Sequence, residues 1–149
     1  MKFSTKGRYG LRAMVDLAVY SKGEQVALCS IAERQGISTP YLEQVFSILR
    51  KSGLVKSVKG AQGGYVLAEA PTDLQVGRIL RALEGPISLI DNGADSIDSN
   101  ETAIQYCLRI NVWEKMNESL NGLIDSVTLE DLADNYRKKN GIEGVMYYI

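Results

Sequence analysis

The chain has 149 residues, of which 45% are hydrophobic, and its formal net charge at pH 7 is only −1. This length fits one domain, or a small domain with an appendage. Histidine, the commonest general base and metal ligand, is absent, and its absence argues against hydrolytic enzymes and zinc proteins.

The sequence also lacks the patterns of membrane and secreted proteins. No apolar run approaches the ~18 residues that a membrane span needs. Residues 1–6 lack the apolar core of a signal peptide. The two cysteines, Cys29 and Cys107, give no disulfide framework. We therefore expect a cytoplasmic protein that is not an enzyme and does not contact a membrane.

The charge is divided unevenly along the chain. Residues 1–68 carry ten Lys/Arg against four Asp/Glu, a net charge of +6, whereas residues 69–149 carry seven against fourteen, a net charge of −7. Such a division is typical of a head that binds a polyanion and a body that does not.

A first helix is predicted to be capped by Ser4 or Thr5 and to carry an apolar face over residues 11–19. Its first turn contains Lys6 and Arg8. These cations, together with the positive end of the helix dipole, are candidates for contact with DNA phosphates. The alternative is a cationic turn that contacts only solvent.

Residues 29–51 have the pattern of a helix-turn-helix. The first of its helices is predicted from Cys29 or Ser30 to Gln35. Gly36 follows and can adopt the positive φ that a tight turn needs. Gln35 departs from the pattern, because the position beside such a turn is usually apolar.

The second helix is predicted to be capped by Ser38 or Thr39, with Pro40 in its first turn. An apolar stripe at helical spacing, which we expect to be buried, consists of Leu42, Val45, Ile48 and Leu49. Ser38 and Thr39 are candidates for contact with DNA. So are the polar residues of the opposite face, namely Tyr41, Glu43, Gln44, Arg50 and Lys51.

After this helix the pattern becomes extended. Residues 54–59 and 65–67 are predicted strands, joined by a glycine-rich loop. A nucleotide-binding loop would need a helix after it, but here a strand follows. We interpret the hairpin as a wing that carries Lys56 on its first strand and Lys59 at its tip. A narrow, A·T-rich minor groove attracts an inserted cation.

The second half of the chain begins with a predicted helix over residues 76–83 and a polar loop over residues 86–101. Residues 104–127 then have apolar positions at spacings of three and four, typical of a long amphipathic helix. We interpret it as a dimerisation helix that packs against its twofold mate, and packing on its own domain is the alternative. A homodimer would present two recognition helices to the half-sites of a near-palindromic DNA operator.

The predicted fold class is therefore mainly α with a small β-hairpin wing. Residues 128–131 resemble a capping box that opens a last helix ending near Lys138. The expected segments are a winged helix-turn-helix DNA-binding domain (1–85), an effector or cluster-type loop (86–101), a dimerisation helix (102–127), and a C-terminal helix with a tail (128–149).

Several motifs resemble one known family. They are residues 6–9 (KGRY), 32–38 (AERQGIS), 41–44 (YLEQ) and 63–65 (GGY), and they are similar to the IscR/CymR-type winged-helix transcriptional regulators of bacteria. The resemblance implies a sequence-specific DNA-binding regulator, in particular a repressor, of iron–sulfur cluster biogenesis or of cysteine and sulfur metabolism genes.

The resemblance also implies how DNA is contacted. In that family the residues matching Tyr41, Glu43 and Gln44 lie at the bases, and the wing residue matching Lys59 enters the minor groove. Lysine replaces the arginine that is common at this wing position. The substitution keeps the electrostatic attraction but loses the forked hydrogen bonds of a guanidinium.

Cluster-binding members of this family carry three cysteines before the long helix. Cys107 matches the third, while Ser96 and Ser99 lie where the other two would fall. Because iron–sulfur clusters need thiolates, the sequence as written supports no cofactor. A [2Fe–2S] cluster is expected only if these serines replace natural cysteines. Otherwise Cys107 is expected to be a small buried residue of the helix. Cys29 is expected to be a buried structural thiol, and a thiol that senses oxidants is the alternative.

The end of the chain resembles that of CymR-type members, which work with cysteine synthase. This enzyme accepts peptides that end in isoleucine, so Ile149 is expected to dock there. The alternative function is thus an interaction module for cysteine synthase in which DNA binding is secondary.

Overall fold

The computed structural model describes residues 2–60, 63–90 and 100–148, with side chains up to Asn140. The described part is mainly helical and contains a two-stranded antiparallel hairpin, which confirms the predicted fold class. Its elements are α1 (Thr5–Tyr20), α2 (Leu28–Gln35), α3 (Thr39–Lys51), β1 (Val55–Val58), β2 (Gly64–Leu67), α4 (Val76–Glu84), α5 (Ala103–Leu108), α6 (Glu114–Ser126) and α7 (Leu129–Tyr148). A 3₁₀ turn spans Pro71–Asp73, and a π-helical turn spans Arg109–Trp113.

The first three helices share one hydrophobic core. Met14 and Leu17 of α1, Ile31 of α2, and Leu42 and Leu49 of α3 are all 0% exposed. Burial of a side chain of this size contributes about 1.5–3 kcal/mol. The contacts among these residues therefore hold the three helices together.

Phe46 was not part of the apolar stripe that the sequence predicted, yet it is the largest fully buried side chain of the described residues. The centroid of its ring lies 4.8 Å from the centroid of the Tyr65 ring on β2. Phe46 therefore joins the back of α3 to the hairpin.

The turn between α2 and α3 forms as predicted. Gly36 adopts φ +66° and ψ +37° after the last residue of α2. The amide of Ile37 donates to the carbonyl of Ala32 at 3.0 Å, and the Ser38 hydroxyl accepts from the amide of Tyr41 at 3.3 Å. Ser38 is thus the N-cap of α3. Helix α2 begins at Leu28, one residue before the predicted start.

The hairpin is held by a third extended segment. Val55 pairs with Leu67 and Val58 with Gly64 across the two strands. Tyr65 also exchanges two backbone hydrogen bonds with Val26, at 2.9 and 3.0 Å. A Cβ at Gly64 would lie 2.7 Å from the Val26 carbonyl oxygen, at a φ of +153°, so this position requires glycine.

A second, smaller core joins α4 to α6. It consists of Val76, Leu80, Ile87 and Ile124. Beside it, Arg81 donates to both carboxylate oxygens of Asp125 at 2.7 and 2.9 Å, which lowers the pKa of Asp125. The C-terminal part of α6 therefore packs on its own chain.

Residues 103–126, which we call the long helix, run continuously through α5, the π-helical turn and α6. This confirms the predicted long helix and adds a π-helical turn that the spacing did not predict. Its N-terminal part leaves large apolar side chains exposed, with Ile104 at 75% and Tyr106 at 54%. Leu123 near its C-terminal end is 61% exposed.

Helix α7 begins with the predicted capping box. The amide of Asp131 donates to the Thr128 hydroxyl at 3.1 Å, and the Asp131 carboxylate accepts from the Thr128 amide at 3.0 Å. The helix continues to Tyr148, so the predicted end near Lys138 is wrong. A glycine costs a helix interior only about 1 kcal/mol, and no proline follows to stop the helix.

Among the described residues, no helix is long and apolar enough to cross a membrane.

Replacing Phe46 with alanine is expected to lower the free energy of unfolding by about 3–5 kcal/mol, because it leaves a cavity between α3 and the hairpin. Urea unfolding monitored by circular dichroism measures the change. The control is Ser47→Ala at the neighbouring half-buried position, for which we expect a change within about 0.5 kcal/mol. A loss for Phe46→Ala as small as that of the control would contradict the packing described above.

Candidate nucleic-acid interface

The outer face of α3 carries the residues predicted to contact DNA. Ser38, Glu43, Gln44, Arg50 and Lys51 are exposed, and Thr39 is half-buried. Because Ser38 caps the helix and Pro40 lies in its first turn, the N-terminal turns are rigid and point their polar side chains outward. A helix of this kind can enter the major groove with its N-terminal residues at the base edges.

Tyr41 differs from the expectation of a fully exposed residue. It is half-buried, packs against the main core, and its ring meets that of Tyr9 edge to face at a centroid distance of 6.2 Å. The reason is that Tyr41 lies on the side of α3 that faces α1. Part of its ring supports the helix, and only the remainder is available to a ligand.

The N-terminus of α1 is occupied by a carboxylate of the same chain. Glu84 accepts a hydrogen bond from the Ser4 amide at 2.8 Å and another from the Ser4 hydroxyl. Glu84 therefore satisfies the N-cap residue of α1. Lys6 and Arg8 of the first turn are both exposed, so their side chains are available to a phosphate there.

The wing presents its cations to solvent. Lys56 on β1 and Lys59 after it are both exposed. The hairpin is fixed to α3 by the Phe46–Tyr65 ring contact and by the Leu54 amide, which donates to the Leu49 carbonyl at 3.0 Å. The wing and α3 therefore form one rigid surface.

The pairing of arginines with carboxylates differs between the two halves of the chain. Among the described residues, the four arginines of the second half, Arg78, Arg81, Arg109 and Arg137, each contact a carboxylate. In residues 2–60 only Arg34 does so. The candidate cations without such a pair in that part are Lys6, Arg8, Arg50, Lys51, Lys56 and Lys59. No carboxylate of the described residues forms an ion pair with them, so their charge is available to a polyanion.

The cysteines do not lie where burial was expected. Cys29 is exposed, because α2 turns Ile31 and Ala32 inward and leaves Cys29 on the outer side. Cys107 is also exposed, and Asn111 donates to its carbonyl at 2.8 Å and contacts its sulfur at 3.6 Å. Both predictions of a buried thiol are therefore wrong.

The donors present do not fit an iron–sulfur cluster. The whole chain has two cysteines and no histidine, and the described residues contain no group of three His, Cys, Asp or Glu that could hold a metal ion. Ser96, Ser99 and Ile149 lie outside the described residues. Thiolate ligands, the chief requirement of such clusters, are therefore too few in this sequence.

The described residues on either side of residues 91–99, which include Ser96 and Ser99, are attached to the long helix. Before it, the amide of Leu89 donates to the Asn117 side chain at 2.8 Å. After it, Glu101 binds Arg109 at 2.7 and 3.1 Å, which lowers the pKa of Glu101. Glu114 binds the same guanidinium at 2.6 Å.

The fold and this surface define the class of protein. A capped helix with an exposed polar face, rigidly joined to a hairpin with unpaired cations, is the arrangement of a winged helix-turn-helix DNA-binding protein.

Comparisons with known proteins agree with this class. The family model Rrf2, described as an iron-dependent transcriptional regulator, matches residues 3–135. The chain is 42% identical over 149 residues to the HTH-type transcriptional regulator CymR of Bacillus subtilis, covering 100% of both chains. It is 38% identical over 136 residues to the regulator IscR of Serratia proteamaculans, covering 91% of this chain and 80% of IscR.

Solved structures give the same result. The structure of CymR, described as the global cysteine regulator of B. subtilis, matches with a TM-score of 0.77 and 41% identity, covering 91% of this chain and 98% of that one. The structure of T. potens IscR matches with a TM-score of 0.73 and 46% identity, covering 93% and 90%. The chain belongs to the Rrf2 family, and it is a DNA-binding transcription regulator, not an enzyme.

Protein purified under anaerobic conditions is expected to show no visible absorption bands of a [2Fe–2S] cluster, because a stable cluster needs more thiolates than two distant cysteines supply. The matched comparison is the Ser96→Cys/Ser99→Cys double variant, purified in the same way. Cluster bands in the unaltered protein would contradict this assignment of the donor set.

Proposed function

We propose that this protein is a homodimeric repressor that binds a near-palindromic DNA operator through α3 and the wing. The observation that carries the proposal is the set of unpaired cations around the outer face of α3, in a chain whose other half pairs all four of its arginines. Unpaired lysine and arginine side chains release counterions when they meet phosphates, and this release drives binding to duplex DNA.

The side chains divide into two roles. Tyr41, Glu43 and Gln44, near the N-terminus of α3, read base edges in the major groove, where amide and carboxylate groups distinguish base pairs. The remaining candidates fix the register by contacting phosphates. They are Lys6, Arg8, Ser38, Thr39, Arg50, Lys51 and Lys56. Lys59 enters the adjacent minor groove.

The homodimer is supported by the exposed apolar side chains of the long helix. Ile104, Leu108, Met116 and Leu123 are 75, 43, 46 and 61% exposed. Apolar groups in such number along one helix mark an interaction surface. We propose that a second copy covers them, and that its head reaches the other half-site of the operator.

We assign the target genes to cysteine and sulfur metabolism. Two observations support this choice over iron–sulfur cluster biogenesis. The match to CymR extends over the whole chain, and the donor set does not fit a cluster. Docking of Ile149 on cysteine synthase remains a proposal based on the resemblance of the chain end. The alternative of an adaptor with only secondary DNA binding is not favoured, because the relatives are named transcriptional regulators.

The Gln44→Ala/Lys59→Ala double variant is expected to bind promoter duplexes of cysteine-metabolism genes at least about 10-fold more weakly, since it loses a base contact worth about 1–3 kcal/mol and a wing cation. Fluorescence anisotropy at constant salt measures the affinity. Lys138→Ala, an exposed cation of α7, is the matched control and should bind like the unaltered protein. Equal affinity of the double variant and the control would remove α3 and the wing from the interface.

Leu123→Asp is expected to shift the protein from dimer to monomer, because it places a charge in the apolar surface that the second copy covers. Sedimentation velocity measures the mass at a fixed concentration. Asn135→Asp, at an exposed position of α7, introduces the same charge elsewhere and should leave the dimer intact. A dimer that survives Leu123→Asp unchanged would argue that the long helix is not the dimer interface.

A further inference from the structure

Asp16 of α1 is the one charged residue that is buried among the described residues, at 3% exposure. Its carboxylate accepts three hydrogen bonds. Arg34 donates from Nε at 2.9 Å and from Nη2 at 2.7 Å, and Gln35 donates from Nε2 at 2.9 Å. All three donors belong to the last turn of α2. We call this cluster of Asp16, Arg34 and Gln35 the Asp16 clamp.

The Asp16 clamp explains why position 35, beside the turn, is a polar glutamine although this position is usually apolar. An apolar side chain at this position could not donate to the buried carboxylate. The backbone of Gln35 is held as well, because Arg12 of α1 donates to its carbonyl at 2.5 Å. The guanidinium carbon Cζ of Arg34 lies 4.0 Å from the centroid of the Tyr20 ring. The hydrogen bond from Arg34 to Asp16 raises the pKa of Arg34.

The position of the clamp determines what it can control. Gln35 is the last residue of α2, and Gly36 with Ser38 leads directly into α3. An angular change at Gln35 therefore passes into the recognition helix within three residues. Apolar contacts permit small displacements of one helix against another. A guanidinium that donates two hydrogen bonds to one carboxylate fixes both the distance and the angle between the two groups.

A buried charge contributes little net stability to a fold, so stability alone does not account for the Asp16 clamp. Desolvation of the Asp16 carboxylate, which is 0% exposed while the Arg34 side chain is 31% exposed, offsets much of the attraction between them, and apolar residues of similar volume often stabilise a core as well or better. The Asp16 clamp therefore serves to fix the geometry between α1 and α2 more than to raise the stability of the fold.

We propose that Asp16 is a positioning residue for sequence readout. Without touching DNA, it fixes the end of α2 and so sets the angle at which Tyr41, Glu43 and Gln44 meet the bases. This inference rests on the proposed binding of an operator through α3 and the wing. It adds that discrimination between operator and other DNA depends on a buried carboxylate of α1.

The test compares two affinities for each variant. One is for the duplex that the unaltered protein selects from a randomised library, and the other is for a scrambled duplex of equal length and charge. Asp16→Asn keeps the shape of the side chain but turns an NH₂ group toward the donors of Arg34 and Gln35. We expect operator affinity to fall about 10-fold, as for the loss of one well-placed base contact, with an unchanged affinity for scrambled DNA.

Two controls separate positioning from stability. Asp125→Asn breaks the comparable Asp–Arg pair between α4 and α6. Leu129→Ala removes a fully buried side chain of the same core but leaves the clamp intact. Measured at a temperature where circular dichroism shows each variant folded, both should keep the ratio of operator to scrambled affinity.

Gln35→Leu supplies a second, milder variant, because it retains the Asp16–Arg34 ion pair and deletes one hydrogen bond. It should lower the same ratio by a smaller factor, and it serves as the test if Asp16→Asn does not fold. The Asp16→Asn/Gln35→Leu double variant should have the same ratio of operator to scrambled affinity as Asp16→Asn alone, since both changes disrupt the same hydrogen-bonded cluster.

The outcomes are distinguishable. An unchanged ratio, or a parallel fall of both affinities, in these variants would overturn the positioning role and leave the DNA-binding function standing. If the unaltered protein selects no duplex from the library, the proposed function fails, and the role of Asp16 fails with it.

Discussion

The close approach of α1 to α4 is the contact on which the other elements depend. Gly7 and Gly10 lie at this contact. The Glu84 side chain lies over Gly7 and the Leu83 side chain over Gly10, in the space that a Cβ would take. With α1 seated there, its remaining sides receive α2, α3, β2 and α7. The DNA-binding head and the helices of the second half are thus connected through one helix, and the glycine of the 6–9 motif has a packing role.

Charge is arranged on this scaffold in two different ways. In the second half, ion pairs such as Arg81–Asp125 and Arg109–Glu101 connect elements of the chain to one another. The one ion pair within residues 2–60, Asp16–Arg34, turns its carboxylate inward, and the other cations of these residues face solvent. The inward pair organises the helices, and the outward cations are left for DNA. The near-zero net charge of the whole chain conceals this division.

Features fixed by a few neighbouring residues could be predicted from the sequence. The αL turn at Gly36, the caps at Ser38 and Thr128, the hairpin and the long helix all follow from local turn chemistry or periodicity. Features set by tertiary contacts could not. The exposure of Cys29 depends on which side α2 turns inward, and the Glu84 carboxylate at the start of α1 comes from a distant helix. The polar Gln35 was the one local signal of the Asp16 clamp, but its partner lies nineteen positions earlier in the chain. The roles of the individual DNA-contact residues remain predictions.

The salt dependence of operator binding tests the central claim most directly. If the exposed cations of two heads meet phosphates, the logarithm of the association constant should fall linearly with the logarithm of salt concentration, with a slope of about −5 or steeper for the dimer. A slope near zero, at any affinity, would contradict an interface built on unpaired lysine and arginine side chains.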